Sequence, residues 1–357
     1  MRAGSLLLLL ILSPKPLLSK FTFLPHPNYK FDLNFIFFII FAEIGNDFAG
    51  SFYLLFFKTV IITSVKKLKL QGEKMQYLTL NDGNKMPILG YGVYQVEPAE
   101  AQRCVEDAIG VGYRLIDTAQ SYHNEEGVGA AVKAAIAGGV KREELFITTK
   151  LWVSGVSEDR ALKAFDASMK KLGLDYLDLY LIHQPYSDTY GAWRAMSRLK
   201  KEGRIRSIGV SNFNPGQIMD FAINNEIKPA INQIECNPFH QQLAAQVNLK
   251  ELGIAMQSWA PFGEGRKDMF SNAVLKMIAQ KQGRSVAQVI LRWLVQRGIV
   301  VIPKSVSKER MAENFNIFDF SLSEADMQTI AGLDDGASLF FDHGDPQMVK
   351  MLNNLSR

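Results

Sequence analysis

The chain has 357 residues, 47% hydrophobic and 21% charged, with 27 Gly, 13 Pro and 2 Cys. That composition excludes collagen-like, low-complexity and wholly disordered chains. Two cysteines, Cys104 and Cys236, can build neither a disulfide framework nor a thiolate zinc cluster, which fits a reducing compartment. A formal charge of +4 is small for this length and gives no reason to expect nucleic acid as a partner.

The charge is unevenly placed. Residues 1–74 hold nine Lys and Arg against four Asp and Glu, so the remainder of the chain carries a net −1. The same segment holds 11 of the 23 Phe. Its apolar runs, at 6–12, 35–42 and 52–57, all fall short of the ~18–20 residues a spanning helix needs. Three readings stay open. Arg2 with the apolar run after it resembles a signal h-region, but Pro14 and Pro16 follow and no small-x-small cleavage site is visible. A membrane anchor would make the protein membrane-associated. The third reading takes Met75 as the true start and 1–74 as an extension of the gene model. Its biased composition and lack of helix or strand period favour the third, and residues 75–357 are read as the folded unit.

From residue 75 a short hairpin opens the chain. Strands at 77–80 and 85–89 flank the turn signal Asn81-Asp82-Gly83. Apolar, β-branched runs then alternate with amphipathic stretches. Strands are expected at 89–93, 115–117, 145–149, 177–182, 205–210, 231–234, 254–259 and 299–302. Helices are expected at 98–110, 125–137, 157–172, 190–201, 215–224, 241–252, 273–281 and 285–297. Gly112, Gly173, Gly203 and Gly253 punctuate the joins, and Ser157 is placed as a helix N-cap. Continuous apolar strands between helices imply a parallel sheet covered on both faces. Eight of them in about 215 residues fit an α/β class (β/α)8 TIM barrel, with a doubly wound open sheet as the alternative.

Functional groups of such a barrel sit just beyond the carboxyl ends of its strands. There the sequence places Asp117 and Tyr122, Lys150 and Trp152, His183 and Gln184, Ser211 and Asn212, Gln233, Trp259 and Lys304. Brought together, Asp117, Tyr122, Lys150 and His183 have a shared chemistry. A tyrosine titrates near ~10, too high for acid–base work at neutral pH, and a neighbouring Lys150 lowers it. A buried lysine needs an anion, which Asp117 supplies. A neutral His183 can orient a carbonyl oxygen. The group suits stabilising and protonating an oxygen that becomes negative as something adds to its carbon. Each residue alone has a plainer reading: Asp as a helix cap, Lys as a solvated charge, Tyr as an apolar lid, His as a satisfied core residue. Their joint occurrence on three successive strand ends is what favours the functional reading. His123, His240 and His343 lack that context and are read as structural.

No metal site is expected. The five His, including His26, form no His-x-His or His-x-x-x-His pair. Gly90-Tyr91-Gly92, Gly127-Val128-Gly129 and Gly263-Glu264-Gly265 do not extend to G-x-G-x-x-G, and no P-loop is present. After the last strand, Lys304 and Arg310 bracket a helix start. This suits a phosphomonoester, with a solvated helix face as the plainer alternative.

These segments together resemble the aldo-keto reductase family. The resemblance lies in Gly112-Tyr113-Arg114-Leu115-Ile116-Asp117-Thr118-Ala119-Gln120-Ser121-Tyr122, with Asn124-Glu125 and Val128-Gly129 after it. It continues in Ile147-Thr148-Thr149-Lys150-Leu151-Trp152, Gly209-Val210-Ser211-Asn212-Phe213 and Asn232-Gln233-Ile234-Glu235. Ile302-Pro303-Lys304-Ser305-Val306 through Glu313-Asn314 completes it. It runs from about 78 to 342, and the order of several separate motifs makes it specific. Trp259-Ala260-Pro261 and the tail 339–343 are similar to the branch containing diketogluconate and methylglyoxal reductases.

The resemblance implies a (β/α)8 barrel that binds extended NADPH and reduces small aldehydes and ketones, with Tyr122 as general acid. His183 would orient the carbonyl, and Lys150 and Asp117 would tune the tyrosine. Ser211, Asn212 and Gln233 would hold the carboxamide and Trp259 would stack on the nicotinamide ring. Gly92, Val93, Ala260, Pro261 and Phe262 would complete the cofactor groove. Lys304, Ser305 and Arg310 would take the 2′-phosphate, with Val306 also on the cofactor and Glu313 and Asn314 at the adenine. Tyr94, Trp152, His183 and Gln184 would line the substrate pocket. Tyr94 and Gln184 replace tryptophans common in the family, and only 22 residues follow Asp335, so an open pocket is expected. The family also implies a cytoplasmic monomer with a small carbonyl compound as its partner. A non-catalytic NADPH-binding barrel, redox-sensing or structural, is the competing class, against which the intact tetrad argues.

Overall fold

The structure, a computed structural model, describes residues 75–355. The segment 1–74 and the signal, anchor or extension readings made of it lie outside the described residues.

Strands β1 (Tyr77–Thr79) and β2 (Lys85–Pro87) form the expected hairpin, with Leu78 opposite Met86. Gly83 takes the positive φ of +85° that the turn requires. Asn81 Nδ2 donates to Pro229 O at 2.8 Å and Asn84 Nδ2 to Arg206 O at 3.1 Å. The hairpin therefore lies against the end of the barrel at which β7 and β8 begin.

The barrel strands are β3 (Gly90–Gly92), β4 (Leu115–Asp117), β5 (Phe146–Leu151), β6 (Leu177–Ile182), β7 (Ile205–Ser211), β8 (Ile231–Glu235), β9 (Ala255–Trp259) and β10 (Val300–Val301). They hydrogen-bond in chain order, all parallel. A parallel bridge between Leu89 and Val301, with Val301 N donating to Ile88 O at 2.9 Å, joins last to first. The open-sheet alternative is thereby excluded. The first and last strands are shorter than their apolar runs; β3 pairs with β4 over three residues, β10 with β9 over two, and the closing seam is one isolated bridge.

Helices α1 (Pro98–Val111), α2 (Glu125–Ala137), α3 (Glu158–Leu172), α4 (Thr189–Lys201), α5 (Pro215–Ile223), α6 (Leu243–Leu252), α7 (Ala273–Gln282) and α8 (Val286–Gln296) follow the expected periods. Capping boxes start α5 through Asn214 and Gln217, and α8 through Ser285 and Gln288. Gly173 and Gly253 end α3 and α6 in the left-handed region, φ +63° and +70°. Ser157 does not cap α3 as expected. Its backbone is extended as an N-cap's should be, but Arg160 Nε donates to its hydroxyl at 2.9 Å, and this charged donor displaces the amide.

Beyond the barrel lie α9 (Lys308–Phe315), α10 (Glu324–Ala331) and α11 (Pro346–Asn354). The last was not anticipated in a tail read as a short loop. Among the described residues no helix is long and apolar enough to cross a membrane.

Two helices meet unusually closely at Gly129 of α2, where an added Cβ would lie 2.3 Å from Leu172 O. In an isolated helix Gly→Ala gains about 1 kcal/mol. Here overpacking against backbone, which costs about 1–3 kcal/mol or more, outweighs it. Gly129→Ala is expected to lower the unfolding free energy in urea titration by at least about 1 kcal/mol; an unchanged or raised midpoint would show that the helices separate freely.

Candidate active site

Side chains alternate along a strand, so β5 sends Lys150 into the barrel and Thr149 outward. Thr149 Oγ1 indeed donates to Glu125 Oε1 on α2 at 2.7 Å. The strand runs two residues beyond its expected end, which makes Lys150 part of the barrel wall, fully buried, rather than a residue of the loop. Asp117 is the last residue of β4 and pairs in register with Gly92 and Thr148. Tyr122 sits on a 3₁₀ turn, Gln120–Tyr122. That turn is pinned by the Gln120 amide, which donates to Ala164 O and Ser168 Oγ at 2.9 and 3.0 Å and accepts from Trp152 N at 2.9 Å. His183 follows β6, its amide on Leu151 O at 3.1 Å.

The structure brings these four residues together. Lys150 Nζ donates to Asp117 Oδ1, to Thr118 O at 2.9 Å and to Tyr122 OH at 3.3 Å. An ammonium has three protons, and all are placed. The other Asp117 oxygen accepts from Gln233 Nε2 at 2.8 Å, and Gln233 donates also to Gln257 Oε1 at 2.9 Å. The His183 ring meets Tyr122 edge-on at 5.6 Å and Trp152 at 5.1 Å, with Nδ1 3.4 Å from Ser121 Oγ.

Burial sets the electrostatics. It would lower the Lys150 pKa, but Asp117 and Tyr122 outweigh it and hold the ammonium above its usual range. Burial pushes Asp117 up, opposed by Lys150 and Gln233. Tyr122 departs from expectation: Lys150 does pull its pKa down, but burial wins and the net shift is upward, so it is a neutral phenol. Burial, then Lys150, then His343 hold His183 well below the usual imidazole value, which keeps it neutral.

The group opens on a cavity of about 1680 Å³, against ~300–1,000 Å³ for a drug-sized ligand. Asp117, Tyr122, His183 and the expected substrate residues Tyr94, Trp152 and Gln184 line it. So do Gly92, Ser211, Asn212, Gln233, Trp259, Ala260, Pro261, Phe262, Lys304, Ser305, Val306, Arg310, Glu313 and Asn314. Lys150 lies behind the wall. Val93 is not part of it: it is fully buried, with its amide on Asp117 O at 3.1 Å and its carbonyl accepting from Asn124 Nδ2 at 2.9 Å.

Asn212 ties three strand ends together in the left-handed region, φ +65°. It donates to His183 O at 3.0 Å and Gln184 Oε1 at 3.3 Å, and accepts from Trp259 Nε1 at 2.8 Å. Ser211 Oγ donates to Gln233 O at 2.8 Å. Near the start of α9, Lys304 and Arg310 are exposed, and among the described residues neither is paired with a carboxylate.

Sequence reasoning missed the tail. Glu235, at the end of β8, accepts from Ser338 Oγ at 2.5 Å and Leu339 N at 3.0 Å. This fastens a segment whose Phe340, Phe341, His343, Leu352 and Leu355 all line the cavity. Residues of the short tail thus form part of the pocket wall. His123 and His343, read as structural, both lie on the wall. The loop Gly263–Asp268 joins them: Arg266 Nη1 donates to Leu339 O at 2.6 Å with its guanidinium 4.3 Å from the Phe340 ring, and Lys267 Nζ meets Asp335 Oδ2 at 2.5 Å.

A closed parallel barrel with a lysine–aspartate pair buried beneath a tyrosine and a histidine at the strand ends defines an acid–base barrel enzyme. The profile described as the aldo/keto reductase family matches residues 88–335. The glyoxal reductase of Bacillus subtilis (strain 168) is 48% identical over 256 residues, 71% of this chain and 91% of that protein. The methylglyoxal reductase of Escherichia coli (strain K12) is 45% identical over 265 residues, 73% and 94%. A crystal structure of a Bombyx mori aldo-keto reductase in complex with NADP is 38% identical, with TM-score 0.73, and covers 78% of this chain and 97% of that one. The chain belongs to the aldo/keto reductase family.

The two depressed imidazoles predict the acid limb of stability. His183 and His343, the latter pushed down to about 4, stay neutral in the folded protein, whereas in the unfolded chain they take protons near pH ~6.5. The unfolded state therefore binds more protons below that value, and stability falls as pH drops from ~6.5 toward 4. Unfolding free energy measured across this window should decline, and His343→Gln should flatten the slope. An unaltered slope in the variant would mean that His343 titrates normally.

Proposed function

We propose that this chain reduces small aldehydes and ketones to alcohols with NADPH, with Tyr122 as the general acid. The observation that carries this is the buried hydrogen-bonded chain Asp117–Lys150–Tyr122, ending beside a neutral His183 at the wall of a cavity large enough for a dinucleotide and a small substrate. The residues present fit the cofactor. The unpaired Lys304 and Arg310 suit a phosphomonoester, the Trp259 ring offers a stacking face, and the Ser211, Asn212 and Gln233 side chains suit a carboxamide. The relative crystallised with NADP supports the same choice.

NADPH, when bound, supplies the hydride that reduces the carbonyl carbon. The protein supplies position and a proton. Neutral His183 donates a hydrogen bond to the carbonyl oxygen and fixes its direction. As the C=O π bond breaks and negative charge gathers on oxygen, Tyr122 gives that oxygen its proton. The phenolate left behind accepts from the Lys150 ammonium already aimed at it, so no solvent need reorganise. Asp117 keeps the ammonium charged and directed. Residues 75–357 are the reductase unit on this reading, and 1–74 take no part in the chemistry.

Tyr122→Phe should retain NADPH binding, followed by quenching of tryptophan fluorescence, while kcat falls by roughly 10²–10⁴-fold, the span of a lost general acid. Turnover near wild type would remove Tyr122 from the role. Lys304→Ala combined with Arg310→Ala should raise KM for NADPH more than about tenfold and barely alter KM for NADH, since charge-assisted contacts of ~1.5–3 kcal/mol are lost only with the 2′-phosphate. Equal effects on both would place the phosphate elsewhere.

A further inference from the structure

Lys304 and Arg310 are exposed, but the backbone that carries them is held from inside the molecule. Lys304 lies between two carbonyls bound by β3. Pro303 O accepts from Gly92 N at 3.2 Å, and Ser305 O accepts from the Tyr91 hydroxyl at 2.5 Å. A carbonyl oxygen can only accept, so the phenol is the donor. Burial, above all, raises the Tyr91 pKa far beyond the usual phenol range and keeps that proton in place. Tyr91 is fully buried and does not line the cavity. Its ring lies 6.0 Å from that of Tyr113, whose hydroxyl donates to Met311 O of α9 at 3.1 Å.

Hydrogen bonds carry the constraint onward. Ser305 Oγ accepts from Ser307 N at 3.1 Å, and Ser307 Oγ, the N-cap of α9, accepts from Arg310 N at 3.3 Å. Three links thus lead from a buried strand to the backbone of Arg310. From outside, Lys308 Nζ stands 3.0 Å from Asp107 Oδ1 and ties the same helix start to α1. A long cationic side chain loses freedom when it grips an anion, and a backbone already fixed beneath it reduces what remains to be ordered. A phenyl ring would fill the space of Tyr91 equally well, so what the hydroxyl contributes is its bond to Ser305 O.

We infer that Tyr91 is a positioning residue for the choice of cofactor: its hydroxyl, acting through Ser305, presets the backbone from which Lys304 and Arg310 meet the 2′-phosphate of NADPH. The inference rests on the phosphate reading above and deepens it. NADH carries a hydroxyl where NADPH carries that phosphate, and gains nothing from the two cations. The buried bond therefore favours NADPH alone, although no atom of Tyr91 touches either nucleotide.

The test is a double-mutant cycle read by binding, with Kd for NADPH and for NADH taken from quenching of tryptophan fluorescence. Tyr91→Phe should weaken NADPH about threefold to tenfold, the span of one neutral hydrogen bond, and leave NADH unchanged. In the Lys304→Ala, Arg310→Ala background the same substitution should no longer alter NADPH binding, because the cations it positions are gone. NADPH binding unchanged in Tyr91→Phe, NADH weakened as much as NADPH, or an undiminished effect in the double-alanine background would each overturn the inference while leaving the phosphate site intact. A double-alanine variant that keeps the wild-type preference for NADPH would instead overturn the phosphate reading, and this inference with it.

Discussion

The site depends on a single ammonium ion held inside the barrel. Removing a Lys and an Asp from water costs several kcal/mol per ion, and Lys150 and Asp117 are both essentially unexposed. The pair persists because nothing in it is left unsatisfied. Both Asp117 oxygens accept, from Lys150 and Gln233, and all three lysine protons are donated, to Asp117, Thr118 O and Tyr122. The requirement for a third acceptor is what fixes the tyrosine: its hydroxyl completes the ammonium's shell. The same contact that makes the buried charge tolerable also aims it at the phenol oxygen. A slip of one residue in β5 would exchange Lys150 with Thr149 and strand the charge among the helices.

How much of this the sequence carries depends on how local the signal is. Strands and helices of the barrel are legible because each has its own period, and Asp117 and His183 are legible because a barrel's strand ends are where groups converge. The burial of Lys150 was less so. Nothing in Thr148-Thr149-Lys150 says that the strand continues two residues further, since the register that extends it comes from Leu181 and Ile182 on the neighbouring strand. Ser157 misleads for a related reason: a hydroxyl three residues before an arginine serves the side chain as readily as the helix amides, and only geometry chooses. Val93 was grouped with the cofactor groove by its place beside Gly92, but its backbone is committed to Asp117 and Asn124.

The tail is the clearest case of information that is not local. Phe340, Phe341 and His343 lie in a stretch with no helix or strand period, and they reach the cavity because Glu235, about a hundred residues earlier, accepts from Ser338 and Leu339. A carboxylate at the end of β8 reads as one more polar strand-end group; its task is to fasten the chain's last segment over the mouth. Arg266 and Lys267 reach the same segment from the loop after β9. The loop beside the expected cofactor groove and the tail beside the substrate pocket therefore share contacts, and a displacement of one disturbs the other.

The upward shift of Tyr122 bears on how such a residue can act as an acid. Burial favours the neutral phenol, which guarantees that the proton is present at neutral pH. A phenol of raised pKa is a weak acid toward water, and that is an advantage in a site that must not lose its proton between turnovers. In the proposed role, its acidity toward substrate would be decided at the moment of transfer, when the oxygen opposite becomes strongly basic and the incipient phenolate meets Lys150 at hydrogen-bond distance. A histidine held neutral beside it can direct that oxygen without adding a second positive charge that would compete with the phenol as donor. On the reading proposed above the two shifts are complementary: burial keeps the proton on Tyr122 and off His183, as a phenolic acid beside a neutral imidazole requires.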